Sequence, residues 1–225
     1  GSAAGDLCIT ECENRINLDG SKSNFASIGG LIGYSNHKLE IHKSINYGLI
    51  NNRYVSGGVL GSCSKSIVNI DRVLNHGSIN SSTINGNADS AGGIIGCAQN
   101  YSTLIVSNTS NYGEISASFY SGGIIESNDC DSIIRNCKNY GNISSSRSGG
   151  IIGRLLNNST ELLFCFNNGS ISAKANGGGI IGETYAKFNI LCCQNNGNIS
   201  AEGSHYTYIG GIIGHVFEGS GTVSE

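Results

Sequence analysis

The side chains that could perform acid–base or metal chemistry are few and are spread along the chain. No His-Glu-x-x-His, no paired-cysteine metal spacing and no Gly-x-Ser-x-Gly occurs in the 225 residues. An enzyme needs such groups to converge at one place. We therefore predict no catalytic residues, no metal ligands and no cofactor. The histidines are His37, His42, His76, His205 and His215, and the scattered acids are Glu114, Glu126, Asp129, Asp131, Glu161 and Glu183.

Asp129-Cys130-Asp131 brings two carboxylates close together in sequence. Paired carboxylates suit calcium, but a calcium site needs further oxygen ligands. No regular motif supplies them here, so we interpret the segment as a solvated loop.

A column of flat rings is the sharper binding candidate. Tyr47, His76, Tyr112 and Tyr140 each follow a repeated asparagine. If this corner is exposed, the rings could stack on sugar faces or anchor a protein. The alternative is that they cover the corner and pack on one another. Further candidates lie in two insertions, near residues 80–91 and 200–209, and are Asn85, Asp89, Tyr206 and Tyr208.

The elements that must position these residues repeat along the chain. The pentapeptide Gly149-Gly150-Ile151-Ile152-Gly153 has seven copies, whose starts are separated by 28, 35, 30, 27, 29 and 32 residues. In the fourth copy Glu126 replaces the last glycine. A period in this range is typical of a solenoid or another repeat array.

A second repeated element has the form Asn-x-Gly-x-Ile-Ser. Its asparagines could hydrogen-bond along the rod, and Asn-x-Gly predicts a corner with positive φ at the glycine. We also predict a degraded copy at residues 16–20. The asparagines are Asn46, Asn75, Asn111, Asn139, Asn167 and Asn195.

Three cysteines lie two residues before these asparagines: Cys137, Cys165 and Cys193, spaced 28 residues apart. We interpret them as small apolar fillers of an interior column. Disulfides between coils are awkward because the side chains are parallel. Should any disulfide form, Cys8 with Cys12 or Cys130 with Cys137 is favoured.

Three short β-favouring runs recur in each repeat: Gly-Ile-Ile, an aliphatic run before the asparagine, and Gly-x-Ile-Ser. No apolar stripe of helical period is sustained. The sequence therefore predicts an all-β fold, a single right-handed parallel β-solenoid (β-helix) of about six to seven coils of about 28 residues, with three short strands per coil. The glycine pair would form a corner where a side chain would collide with the next coil.

The predicted organisation has four parts. Residues 1–5 resemble a cloning scar, 6–28 form a partial N-terminal coil or cap, 29–216 form the repeats, and 217–225 form a C-terminal tail or truncated junction. The chain contains no methionine, which suggests an excised piece of a longer protein.

Composition and charge exclude several classes of protein. The net charge of −3 without a basic cluster argues against nucleic-acid binding. No apolar run approaches the length of a membrane-spanning helix. The absence of proline and the low share of charged residues (13%) argue against disorder.

The segment that runs from Gly29-Gly30-Leu31-Ile32-Gly33 through Asn46-Tyr47-Gly48 to Gly57-Gly58 resembles the GLUG-type repeat, and the resemblance covers nearly the whole chain. Isoleucine mostly replaces leucine here. The resemblance implies a non-catalytic segment of a large secreted or cell-surface, adhesin-like protein, acting as a stalk or adhesive module. The partner would be a host glycan or an extracellular protein. Alternatives are a polysaccharide-active parallel β-helix enzyme and a structural solenoid that self-associates end to end.

Overall fold

A computed structural model describes residues 2–3, 5–23, 26–81, 89–100, 103–203 and 207–225. The protein is an all-β parallel β-solenoid of about seven turns of ~29 residues, which confirms the predicted fold class. Within the described residues every regular element is a strand. No helix there is long and apolar enough to cross a membrane.

Four parallel sheets run along the solenoid, and each coil contributes to all of them in turn. Sheet 1 follows the glycine pair and consists of β1 (Ser2–Ala3), β6 (Ile32–Ser35), β11 (Leu60–Ser64), β16 (Ile95–Gln99), β21 (Ile125–Asn128), β25 (Ile152–Leu155), β29 (Ile181–Thr184) and β34 (Ile213–Val216). Sheet 2 consists of β2 (Leu7–Thr10), β7 (Leu39–His42), β12 (Ile67–Asp71), β17 (Thr103–Ser107), β22 (Asp131–Arg135), β26 (Ser159–Leu163), β30 (Lys187–Leu191) and β35 (Gly221–Ser224).

Sheets 3 and 4 carry the second repeated element. Sheet 3 has two-residue strands that end in the repeated asparagine: β3 (Glu13–Asn14), β8 (Ile45–Asn46), β13 (Leu74–Asn75), β18 (Ser110–Asn111), β23 (Lys138–Asn139), β27 (Phe166–Asn167) and β31 (Gln194–Asn195). Sheet 4 consists of β4 (Leu18–Asp19), β5 (Ser27–Gly29), β9 (Ile50–Asn52), β10 (Val55–Gly57), β14 (Ile79–Ser81), β15 (Ser90–Gly92), β19 (Ile115–Ala117), β20 (Tyr120–Gly122), β24 (Ile143–Gly149), β28 (Ile171–Gly178), β32 (Ile199–Ala201) and β33 (Tyr208–Gly210).

The three predicted strand positions correspond to sheets 1, 2 and 4. The short strands of sheet 3 form an additional ladder at the asparagine. Sheet 4 has two arms, one after the repeated isoleucine and one before the glycine pair. These arms join into single strands in β24 and β28.

The glycine pair forms a crowded corner between coils, as predicted. A Cβ on Gly149 would lie 1.8 Å from the carbonyl oxygen of Ile152, and one on Gly150 would lie 2.0 Å from the carbonyl oxygen of Gly179 and 2.5 Å from Cγ of Asn167. None of these distances is physically accessible. Gly149 is therefore required by the tight turn within its own coil, and Gly150 allows the next coil to stack at this spacing.

The prediction of positive φ at the glycine of Asn-x-Gly is wrong. Among the described glycines, only Gly219 has a positive φ. Glycine is needed after the asparagine because of close approach instead, since a Cβ on Gly141 would lie 1.9 Å from the carbonyl oxygen of Gly113.

One left-handed corner lies three residues before each asparagine, between sheets 2 and 3, and three coils have another between sheets 1 and 2, at Lys65, Asn100 and Asn158. The corner between sheets 2 and 3 is built in every coil by a residue other than glycine: Glu11, Lys43, Arg72, Asn108, Asn136, Phe164 and Cys192. Because these types have nothing in common, the sequence gives no signal for this corner.

The apolar side chains form two buried clusters. The larger one fills the space enclosed by sheets 1 and 2 and includes Leu39, Ile41, Ile151 and Ile152. The smaller one lies between the two arms of sheet 4 and is built on a column of isoleucines: Ile50, Ile79, Ile115, Ile143 and Ile171. Strand alternation explains both clusters, because every second side chain points inward.

The first and last segments also belong to the coil pattern. Asn14 pairs in register with Asn46, so the first copy of the asparagine element begins at Asn14 and not at the predicted residue 16. At the other end, β35 lies within the predicted tail and pairs with β30 in sheet 2.

Candidate functional site

The outer face of sheet 4 carries an open groove with a volume of about 600 Å³. Its floor contains the inward-pointing isoleucines, which are at most 2% exposed. Two polar columns flank this floor. One consists of Asn80, Ser116, Ser144, Ser172 and Ser200, and the other of Ser78, Glu114, Asn142, Ser170 and Asn198.

The groove offers a repeating set of neutral hydrogen-bonding groups. Adjacent strands lie about 4.8 Å apart, so five rungs extend over roughly 19 Å. Hydroxyls and amides both donate and accept hydrogen bonds. Glu114 is the one charged side chain among the described lining residues. These two columns were not predicted from the sequence. Each member flanks the inward isoleucine of Gly-x-Ile-Ser, and this position is the signal that identifies them.

The predicted aromatic column lies next to this groove, two residues before the second polar column. Its rings stack face to face, with centroid distances of 5.2 Å for Tyr47 and His76, and 4.8 Å both for His76 and Tyr112 and for Tyr112 and Tyr140. The guanidinium of Arg15 lies 4.7 Å from the centroid of Tyr47. Each ring therefore covers the face of its neighbour, and the ring edges point toward solvent. The three tyrosines are each at least 40% exposed.

The repeated asparagines form a continuous hydrogen-bonded ladder inside the solenoid. Asn139 Nδ2 donates to Asn167 Oδ1 at 2.8 Å and to the carbonyl oxygen of Gly141 at 2.8 Å, while Asn139 Oδ1 accepts from Asn111 Nδ2 at 2.9 Å. The same pattern links Asn14, Asn46, Asn75, Asn111, Asn139, Asn167 and Asn195. Because its central members are fully buried, this column has a structural role.

The cysteine column packs against the interior. Cys137 and Cys165 are fully buried, and Cys193 is partly buried against the same core. All nine cysteines are present as thiols. Hydrogen bonding with Cys137 raises the pKa of the Cys165 thiol, and hydrogen bonding with Cys165 raises that of Cys193. The thiols of Cys165 and Cys193 therefore stay protonated and lack the reactivity of a thiolate.

The two insertions leave sheet 4 at the same corner, between its two arms. Asn85 and Tyr206 lie outside the described residues. Asp89 is fully buried. Tyr208 is 44% exposed, and its ring centroid lies 4.1 Å from that of His215.

A charged cluster fills the corner where sheet 4 meets sheet 1. Arg154 and Glu183 are register partners in sheet 1, and Arg147 Nε lies 3.3 Å from Glu183 Oε2. Asn176 Nδ2 donates to the same oxygen at 2.9 Å. The guanidinium of Arg154 lies 4.0 Å from the ring centroid of Tyr120. Glu183 was expected to be one of several scattered acids, and its two arginine partners were not predicted because they come from the preceding coil.

Glu126 belongs to the same corner. It is 2% exposed, and burial raises the pKa of its carboxyl to about 8, while the nearby Arg154 opposes this shift. Glu183 is 1% exposed. Because both carboxyls are buried, neither is presented to a large substrate in this conformation.

The segment Asp129-Cys130-Asp131 does not form a converging pair of carboxylates. Asp129 Oδ1 accepts from Asn157 Nδ2 at 2.9 Å, and Asp131 Oδ1 accepts from the backbone N–H of Ser159 at 3.0 Å. Cys130 between them is buried. Both carboxylates are engaged by the following coil.

Comparison with protein-family models, with curated proteins and with solved structures found no match.

Proposed function

We propose that this chain is a non-catalytic repeat segment that binds an extended, neutral, polyhydroxylic polymer such as a polysaccharide in the groove of sheet 4. The observation that carries the proposal is the pair of hydroxyl and amide columns repeated from coil to coil along this groove. A polymer with a regular repeat can present equivalent groups to successive rungs. Many weak contacts then act together.

The chemistry of the lining favours a neutral ligand over a polyanion. Glu114 would repel a phosphate or sulfate backbone, and no arginine or lysine belongs to the described lining. Hydroxyls of a sugar can both donate to and accept from serine and asparagine side chains. The exposed edges of Tyr112 and Tyr140 lie beside the groove and could extend the contact surface.

The proposed location is extracellular or on a cell surface, within a larger protein. This part of the proposal rests on the resemblance of Gly29-Gly30-Leu31-Ile32-Gly33 and its copies to the GLUG-type repeat. A host glycan would then be the natural partner, and the solenoid would act as stalk and binding module together.

The proposal is tested on immobilised polysaccharides and glycan arrays with the double variant Ser116→Lys/Ser144→Lys. Both serines point outward from adjacent rungs, so two long cationic side chains would fill the middle of the groove. We expect saturable binding by the wild type and a loss of about tenfold or more in the variant, which corresponds to roughly 1.4 kcal/mol.

The matched control is Thr103→Lys/Ser159→Lys, which adds the same charge on the exposed face of sheet 2. It should bind like the wild type. Equal losses in both variants would mean that net charge, not the groove, controls binding. No binding by the wild type to any polysaccharide would reject the proposal and leave only a stalk.

A catalytic function has one specific observation in its favour, the two carboxyls Glu126 and Glu183 in one charged corner. Enzymes that cleave glycosidic bonds usually do so with a pair of carboxyl groups. The assay is release of reducing ends from polysaccharides that bind. Activity lost in Glu126→Gln or Glu183→Gln would favour this function over the proposed one.

End-to-end self-association is a separate hypothesis and needs a separate measurement. In the last described coil Ile209, Val216 and Val223 are 42%, 46% and 54% exposed. Light scattering over a range of concentrations tests it. A strict monomer at the highest concentration would contradict it.

A further inference from the structure

The outer face of sheet 2 brings together three side chains of different metal-binding chemistry. Leu39 and Ile41 of β7 point into the core and are fully buried, so Glu40 and His42 point outward by alternation. In the neighbouring strand β2, Cys8 is the register partner of Glu40. One thiol, one carboxylate and one imidazole therefore share a face although they come from two coils.

Their ligand atoms converge. One sulfur, one carboxylate oxygen and one imidazole nitrogen all lie within 4.8 Å of one another. The distance from His42 Nε2 to Glu40 Oε2 is 3.8 Å. In a tetrahedral zinc site with bonds of about 2.0 to 2.3 Å, ligand atoms lie roughly 3.5 Å apart. The three side chains are at least partly exposed. Small rotations about their side-chain torsions can therefore bring the ligand atoms from within 4.8 Å to the roughly 3.5 Å of a zinc site.

We propose that Cys8, Glu40 and His42 bind one Zn²⁺ ion on this face. Thiolate, imidazole and carboxylate are the three kinds of ligand that zinc takes in proteins, and three protein ligands leave the fourth position to water. Calcium and magnesium are disfavoured because they require several oxygen ligands. The site is independent of the groove on sheet 4.

The contact with Lys38 orients the carboxylate of Glu40 for metal binding. Lys38 Nζ lies 2.8 Å from Glu40 Oε1, which leaves Oε2 toward His42. Cysteine binds zinc as the thiolate, so Cys8 would coordinate the ion through its Sγ.

The next acid along the same face is already engaged, so it is not part of the proposed ligand set. Asp71 is the register partner of His42. Its Oδ1 accepts from Ser107 Oγ at 2.8 Å and from Asn108 Nδ2 at 2.7 Å, and its Oδ2 lies 2.7 Å from Arg72 Nε.

The test uses Co²⁺ as a spectroscopic substitute for Zn²⁺ on the full chain, reduced and freed of metal with a chelator. We expect one Co²⁺ per chain, a thiolate-to-cobalt charge-transfer band in the near ultraviolet, strong visible bands of a tetrahedral site, and displacement of Co²⁺ by Zn²⁺. Cys8→Ser should lose the charge-transfer band. The matched control Cys12→Ser, which removes another exposed thiol four residues away, should keep it.

Glu40→Gln and His42→Ala complete the ligand test. Loss of an outer hydrogen-bond partner of a ligand already costs about tenfold to 100-fold in metal affinity, so loss of a ligand should weaken Zn²⁺ binding by at least about tenfold. Unchanged affinity in Cys8→Ser, or equal loss in Cys12→Ser, would overturn the proposal, as would the absence of saturable binding.

A second measurement keeps the proposal testable if a variant fails to fold. The wild type is alkylated with iodoacetamide, and Cys8 and Cys12 are followed separately by mass spectrometry. One equivalent of Zn²⁺ should slow modification of Cys8 and leave Cys12 unchanged. Equal rates at Cys8 with and without Zn²⁺ would contradict the site.

Discussion

At the residue scale, the asparagine ladder shows how a buried polar side chain stabilises this fold. Asn139 hydrogen-bonds to the asparagines above and below it and to the backbone of its own turn. A buried amide without a hydrogen-bond partner is costly, and here each central asparagine hydrogen-bonds to the asparagines of the neighbouring coils. The ladder therefore stabilises only the register in which the asparagines of successive coils lie opposite one another.

We expect Asn139→Ala to lower the free energy of unfolding by about 3 kcal/mol. The substitution leaves Asn111 Nδ2 and Asn167 Oδ1 without their partner, and each unsatisfied buried group costs about 1 to 3 kcal/mol. Chemical denaturation followed by circular dichroism measures the change. The control Asn198→Ala removes an exposed amide and should stay within about 0.5 kcal/mol of the wild type. Equal effects would refute a special role of the ladder.

Glu126 makes the stability of the protein depend on pH. Its pKa is raised by burial from 4.5 to about 8 in the folded state. The folded state therefore holds a proton that the unfolded state releases between these values. This contribution to stability is fully present below pH 4.5 and is lost as pH rises through about 8.

We expect Glu126→Gln to remove this pH dependence, because glutamine keeps the shape without the charge. Relative to the variant, the wild type should lose on the order of 3 kcal/mol between pH 5 and pH 8. Denaturant midpoints at several pH values give the comparison. Glu114→Gln, which removes an exposed carboxylate, should follow the wild type. A constant difference between wild type and Glu126→Gln at all pH values would exclude the mechanism.

At the element scale, each corner of the coil is set by a different physical requirement. The glycine pair is fixed by close approach between coils, whereas the left-handed corner between sheets 2 and 3 tolerates residues as different as Lys43 and Phe164. The first corner is visible as a motif in the sequence, and the second is not.

We expect Gly150→Ala to prevent folding or to cost more than about 4 kcal/mol, a loss that only specific core defects produce. The new Cβ would meet the backbone of the next coil at 2.0 Å. The matched control is Gly211→Ala, at the same position of the last described coil, where a Cβ meets nothing within 4 Å. Thermal melts of the two variants give the comparison, and similar melting temperatures would contradict the close-approach argument.

The sequence was sufficient to predict the repeat elements because they depend on local requirements. The repeat period, the alternation of inward and outward side chains and the close approach at glycine recur along the chain. The solenoid, the glycine corner and the asparagine column could therefore be predicted from the sequence alone. The start of the first copy was misplaced because Ile16 stands where other copies have glycine, and the true ladder member is Asn14.

The candidate sites could not be predicted in the same way, because their members come from different coils. Cys8 and Glu40 are 32 positions apart in sequence, and they face each other only through the pairing of β2 with β7. Arg147 and Glu183 likewise meet across coils. No linear spacing encodes such a set, since coil lengths vary with the insertions.

At the scale of the whole molecule, every coil contacts mainly its neighbours, so stability should be close to a sum over coils. Deletion of residues 46–74 tests this, because it removes one full turn. Ile45 would then be joined to Asn75, which is the register partner of Asn46. Asn75 would take the vacated place in the ladder, between Asn14 and Asn111.

We expect this deletion to fold into a solenoid one rung, or about 4.8 Å, shorter. It should have β-type circular dichroism and a moderately reduced denaturant midpoint, with small-angle scattering reporting the length. The control removes only half a turn, residues 46–59, and places the strands of one sheet opposite those of another. Because the asparagine ladder and the inward aliphatic columns no longer meet at the junction, the coils before and after the deletion should unfold separately, and cooperative unfolding should be lost. If both deletions fold equally well, the coils are not held in register by their ladders, and the additive description of this solenoid is wrong.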